Sequence, residues 1–106
     1  MRIYYKPVGG KVFPMDVQCT LKEFQDLVGG YFEMYLITPE LAIICNEDGR
    51  LKELPYNTTV LNSKFYGPLF LIGRKAQRDE SYGWTDVKIT FDQAVKLFSG
   101  IVKWRD

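Results

Sequence analysis

The chain has 106 residues, 46% of them hydrophobic and 25% charged, with a formal net charge of +1. A chain of this size is expected to form one domain, residues 1–106, that buries about two-thirds of the surface its unfolded form exposes and needs no covalent staple. The composition is that of a globular rather than a disordered chain, the apolar runs are too short to cross a bilayer, and the near-zero charge argues against an acidic DNA mimic and a general nucleic-acid binder.

The N-terminal MRIYYKPV lacks the apolar stretch and small-residue cleavage site of a signal peptide, so the expected compartment is the cytosol, with Cys19 and Cys45 reduced. Residues 2–6 and 11–17 are rich in β-branched and aromatic side chains around Gly9-Gly10, which reads as a hairpin with Pro7 and Pro14 at edge positions. Thr20 is a helix N-cap, and Glu23 three residues later completes a capping-box pattern, with Cys19 and Phe24 placed to staple the entry. Leu21, Phe24, Leu27 and Val28 share one helical face, and Gly29-Gly30 ends the helix, since glycine enters the left-handed conformation of a C-cap without a Cβ clash.

Residues 31–37 and 41–45 are apolar on both alternating faces and predict central strands covered on two sides, joined by a turn at Thr38-Pro39-Glu40. Asn46 to Gly49 carries the chemistry of a hairpin turn with its glycine left-handed, so residues 50–54 are expected to pair back, and residues 57–61 to form a short helical turn. Gly67-Pro68 opens a further strand through Ile72, and the polar stretch 74–82 reads as an exposed loop. A second helix starts at the N-cap Thr90 with Gln93 as its capping-box partner and carries Phe91, Ala94, Val95, Leu97, Phe98, Ile101 and Val102 on a wide apolar face. That face, with Trp104, covers the sheet or also holds a second subunit, and a twofold homo-oligomer is expected. The fold class is α+β, a mostly antiparallel sheet of about five to six strands with two helices.

The segments FQDLVGGYFE, NEDGRLKELPYN and GPLFLI resemble a family of small proteins of unknown function common in bacteriophages, other mobile elements and their hosts. The likeness covers roughly residues 1–73 and is carried by Gln25, Gly29, Gly30, Asn46, Glu47, Gly49, Leu54, Pro55, Asn57 and Gly67. It implies a phage-type accessory protein and brings no catalytic motif.

The chain has no histidine, which removes the side chain best suited to proton transfer near neutral pH, the Ser-His and Cys-His nucleophiles and the imidazole metal ligands. The two cysteines are far apart and read as core packing, the acidic pair Glu47-Asp48 is too short for a calcium loop, and Gly29-Gly30 follows a helix where a phosphate cradle precedes one. No cofactor or metal is expected, and no enzyme. What remains is an excess of amphipathic aromatics, among them Tyr4, Tyr31, Tyr35, Tyr56, Tyr66, Tyr82 and Trp84, some of which are expected at a binding surface. The expected ligand site is Asn46, Arg50, Tyr56, Asn57, Arg74, Tyr82 and Trp84, which combine exposed backbone, guanidinium groups and rings. Two binding functions compete: sequestration of a nucleotide-derived signal of a host defence system, or direct blockade of a host defence protein. An enzyme using carboxylates alone is a third, weaker class.

Overall fold

The computed structural model of the chain describes residues 1–79 and 81–99. Among these described residues eight strands and two helices follow one another: β1 (Arg2–Lys6), β2 (Phe13–Asp16), α1 (Leu21–Val28), β3 (Phe32–Thr38), β4 (Leu41–Asn46), β5 (Tyr56–Val60), β6 (Ser63–Tyr66), β7 (Leu69–Ala76), β8 (Tyr82–Thr85) and α2 (Phe91–Phe98). Six strands form one antiparallel sheet in the order β2-β1-β7-β4-β3, with β8 paired to the far end of β7, and β5-β6 form a separate two-stranded sheet. The architecture is α+β, as the sequence implies.

The β4 strand explains the layering. All six of its residues are buried, so both faces of the sheet must be covered. Side chains alternate along a strand, and Leu41, Ile43 and Cys45 enter one apolar cluster together with Leu69 and Leu71 of β7, Ala94 and Leu97 of α2, and Val60 and Phe65 of the small sheet. Ala42 and Ile44 enter the opposite cluster with Phe70, Ile72 and the α1 residues Phe24 and Val28. The main sheet is therefore the middle of three layers, with α1 on one face and α2 plus β5-β6 on the other.

Both helices start as their caps require. Thr90 and Gln93 form the reciprocal box, Gln93 N donating to Thr90 Oγ1 at 3.1 Å and Thr90 N to Gln93 Oε1 at 2.9 Å. At α1 only half of the box forms: Glu23 N donates to Thr20 Oγ1 at 3.1 Å, but the Thr20 amide is already bonded to the Gln18 carbonyl at 3.0 Å, which leaves the Glu23 carboxylate nothing to accept from. Leu21 stays 65% exposed at the first helical position, where a side chain leans back over the cap rather than over the sheet. Cys19 is exposed as well and staples nothing, whereas Cys45 is core.

Four expectations give way to tertiary context. The β3 strand is an edge strand with Met34 and Leu36 exposed, because among the described residues no further strand pairs with it. Residues 50–54 form turns and do not pair back: Gly49 lacks a positive φ, and a Cβ there would lie 2.7 Å from the Tyr66 carbonyl oxygen, so its role is close approach. Residues 56–60 are strand, paired to β6 through a two-residue turn whose central residues, Leu61 and Asn62, both carry positive φ (49° and 69°), the mark of the primed hairpin turns. The stretch 74–82 is no free loop, since β7 runs on to Ala76 and β8 pairs back on it.

Gly29 ends α1 with φ 81°, and Gly30 follows at φ 154°, both amides donating to the Gln25 carbonyl at 2.8 and 3.0 Å. A Cβ at Gly30 would lie 3.1 Å from Asn46 Nδ2 and 3.3 Å from Lys52 Nζ. Gly30→Val therefore strains the backbone and crowds Asn46 together, and we expect it to lower the unfolding free energy by about 1–3 kcal/mol in chemical denaturation. An unchanged midpoint would refute this structural role.

Candidate functional site

The chain leaves β4 at Asn46, turns through residues 47–54 and enters β5-β6, which lies over the α2-side face of the sheet. Between these parts is a cleft of about 240 Å³. Its floor comes from β3 and β4 through Glu33, Tyr35 and Cys45, its rim from the turn through Glu47, Gly49 and Arg50, and its far wall from β6 through Ser63, Lys64, Phe65 and Tyr66. Strand alternation brings Glu33 and Tyr35 to the same face. Ser63 Oγ donates to Tyr35 Oη at 3.1 Å, and the Tyr35 ring meets Phe65 edge to face with centroids 5.3 Å apart.

Arg50 defines the mouth. Its guanidinium carbon lies 5.7 Å from the centroid of Tyr66, within cation–π range, while Tyr56 meets the same ring edge to face at 6.0 Å. Among the described residues the guanidinium engages no carboxylate. The cleft is mixed in charge, Arg50 and Lys64 against Glu33 and Glu47. Its thiol is inert: burial, and secondarily the Glu33 carboxylate, push Cys45 up to about 12, so it stays protonated near neutral pH. No group of three Cys, Asp or Glu among the described residues could hold a metal ion.

The residues expected from the sequence to form one site fall into two places. Asn46 and Arg50 line the cleft, Tyr56 meets its Tyr66 wall from behind the lining, and Asn57 follows Tyr56 in β5. Arg74, Tyr82 and Trp84 lie elsewhere: Arg74 follows Leu69, the partner of Cys45, by five residues along β7, about 17 Å at ~3.4 Å per residue. It also alternates with Phe70 and Ile72 onto the α1 face, where Trp84 meets Phe24 edge to face at 5.9 Å. Arg74 Nη1 donates to the Pro39 carbonyl at 3.2 Å, and Tyr82 pairs with Ala76 through its backbone. The sheet itself separates the two groups.

Two of the cleft-side residues are spent on the fold. Asn46, 5% exposed, donates through Nδ2 to the Val28 carbonyl at 3.2 Å and accepts from the Asp48 amide at 2.8 Å, tying the end of α1 to β4 and the turn. Asn57 donates to the carbonyls of Lys6 at 3.0 Å and Gly67 at 2.8 Å and accepts from Lys6 Nζ at 2.9 Å, clasping β5 to β1 and to the entry of β7. Tyr4, one of the aromatics weighed for a binding surface, is likewise structural, its Oη donating to the Ile89 carbonyl at 2.9 Å. Sequence reading missed Glu33, Ser63 and Lys64 as cleft residues. Alternation along residues 31–37 groups Glu33 with Tyr35, but nothing local reveals that residues 63–66 are a strand facing them.

The α2 face divides between core and surface. Ala94 and Leu97 enter the core, while Phe91 and Val95 remain half exposed beside a groove lined by Lys11, Val12 and Phe98. Ile101, Val102 and Trp104 lie outside the described residues. No described helix is long and apolar enough to cross a membrane.

The family described as Domain of unknown function (DUF3846) matches residues 1–98, and the chain belongs to it. The match takes in the whole sheet, both helices and the cleft. No curated protein and no solved structure matches the chain.

Two outcomes follow from the geometry. Asn57→Ala leaves two carbonyls and an ammonium without their partner, and we expect a loss of about 1–3 kcal/mol in urea denaturation, with no loss refuting the clasp. The raised Cys45 value means that the folded state keeps a proton the unfolded thiol releases from about pH 9 upward, so this contribution to stability falls as pH rises through 9 toward 12. Cys45→Ala should flatten the alkaline decline in melting temperature. In the parent protein a thiol reagent should modify Cys19 before, and Cys45 only after, denaturation.

Proposed function

We propose that this protein is a non-enzymatic binding protein whose cleft beside Arg50 takes a small anionic, nucleotide-like molecule, and that it acts as a phage-type accessory protein by sequestering such a signal from a host defence system. The observation that carries the reading is the guanidinium laid over Tyr66 at the cleft mouth with no acidic partner among the described residues. A guanidinium in cation–π range of a ring spends none of its N–H donors on that contact, and its planar fork suits bidentate contact to a phosphate. Lys64 adds a second cation, and Glu33 and Glu47 accept from base or sugar N–H and O–H groups. The volume, about 240 Å³, lies below the roughly 300 Å³ at which drug-sized pockets begin, which favours one mononucleotide-sized group per cleft. An inert thiol and the absence of histidine favour holding over chemistry. The phage setting is supported by the sequence resemblance alone.

Equilibrium dialysis with AMP, GMP and cyclic dinucleotides, together with mass spectrometry of small molecules released on denaturation, tests the reading. We expect a nucleotide to bind, and Arg50→Ala to weaken it on the order of tenfold or more with an unchanged melting temperature. Equal affinity in parent and variant, or no bound or released nucleotide at all, would sink it. A host protein that co-purifies in stoichiometric amount would favour direct blockade instead.

A further inference from the structure

The two edges of the main sheet are treated differently. At the β2 edge stand Pro14, which has no N–H to offer, and the Arg2–Asp16 ion pair at 2.7 Å, both common guards against strand addition. At the β3 edge there is neither a proline nor a lysine. The strand is seven residues long, its only irregularity a bulge between Leu36 and Thr38.

The register shows which β3 groups are unpaired. Glu47 N donates to the Tyr31 carbonyl at 3.0 Å, so the pairs Tyr31–Glu47, Glu33–Cys45 and Tyr35–Ile43 face each other through their backbone groups. Phe32, Met34 and Leu36 then turn their N–H and C=O outward, and no described residue bonds to them. The side chains of the same three residues share the α1 face, where Met34 is 41% and Leu36 46% exposed.

We infer that this edge is a homodimer interface, in which β3 pairs antiparallel with β3 of a second copy about a twofold axis through Met34. Met34 then faces Met34 of the second copy, and Phe32 faces Leu36, so that all the outward backbone groups are satisfied and the apolar row is continuous on one face. On the other face Glu33 lies opposite Tyr35 in both directions. A slip by two residues that sets Phe32 against Met34 would bring Glu33 against Glu33 and would lose a pair, so like-charge repulsion opposes it. This self-complementarity is what a second copy of the chain supplies and an unrelated strand does not. Because Glu33 and Tyr35 also line the cleft, the second copy adds its Tyr35 beside each Glu33 and sets the two clefts side by side. A ligand wider than one cleft could span both, a consequence that rests on the binding reading above, whereas the interface does not.

Light scattering at high micromolar concentration tests the interface. The parent should be a dimer, and Met34→Lys, which sets two ammonium groups face to face from a solvent-exposed position, should be a monomer that keeps the parent circular-dichroism spectrum and unfolds cooperatively, at a lower temperature than the dimeric parent at the same concentration. In a Cys19→Ser background, Met34→Cys should form a covalent dimer on oxidation, since Cα atoms of a hydrogen-bonded antiparallel pair lie about 5.5 Å apart, within disulfide reach. Leu36→Cys should not, because its own copy is four residues away along the strand, about 14 Å. A monomeric parent, a dimer that survives Met34→Lys, or equal cross-linking at positions 34 and 36 would overturn the proposal. If cross-linking is as expected while Arg50→Ala leaves nucleotide binding unchanged, the interface stands and the cleft reading fails.

Discussion

The burial of β4 on both faces is the constraint on which the remaining structure depends. A strand whose six residues are all inaccessible needs a neighbour on each edge and a layer on each face, and β3, β7, α1 and the α2–β5–β6 layer are those four requirements met. Burial of each large aliphatic side chain, Ile43 on one face and Ile44 on the other, contributes about 1.5–3 kcal/mol, and Leu69, Phe70, Leu71 and Ile72 of the neighbouring β7 are buried in the same two layers. Its last residue is polar. Asn46 ends a buried run and must have its amide satisfied, and it meets that need by holding the Val28 carbonyl of α1 and the Asp48 amide of the turn.

From that fastening the cleft follows. Chain leaving Asn46 cannot pair back, because Gly49 is pressed against the Tyr66 backbone and the next residues are spent in turns, so it crosses to the α2-side layer and returns as a hairpin. The gap between that hairpin and the β3-β4 floor is the cleft. The burial that stabilises Cys45 also holds its thiol protonated, which removes the one soft nucleophile on the floor and leaves hydrogen bonding, charge and ring surface as its working chemistry. Asn57 then locks the hairpin to β1 and β7, so that the wall carrying Lys64 and Tyr66 is fixed relative to the sheet.

The asymmetric sheet edges connect this geometry to assembly. Strand β1 lies between β2 and β7, and β8 takes over the same side of β7 where β1 ends, so that this side of β7 is paired along its length. Gly73 makes that handover possible, since a side chain there would collide with the Asp86 carbonyl. On the opposite side, β3 borders the cleft with the face that carries Glu33 and Tyr35, and its backbone edge is unpaired among the described residues.

Local signals in the sequence determined the two helices, their caps at Thr20 and Thr90, the glycine stop after Val28, the first hairpin and the buried character of residues 41–45, since each depends on residues within a few positions of one another. The proposed binding function also starts from local features, the missing histidine and the scattered aromatics. Only tertiary structure decided that β3 is an edge, that residues 56–66 form a hairpin lying over the sheet, and that 74–85 extends the sheet, because such pairings depend on distant partners that propensity does not encode. The candidate site was half legible for the same reason. Arg50 and Tyr56 could be picked out by side-chain chemistry, but the strand parity that carries Arg74 and Trp84 to the other face, and the backbone carbonyls that occupy Asn46 and Asn57, exist only once β4, β7 and α1 are packed together.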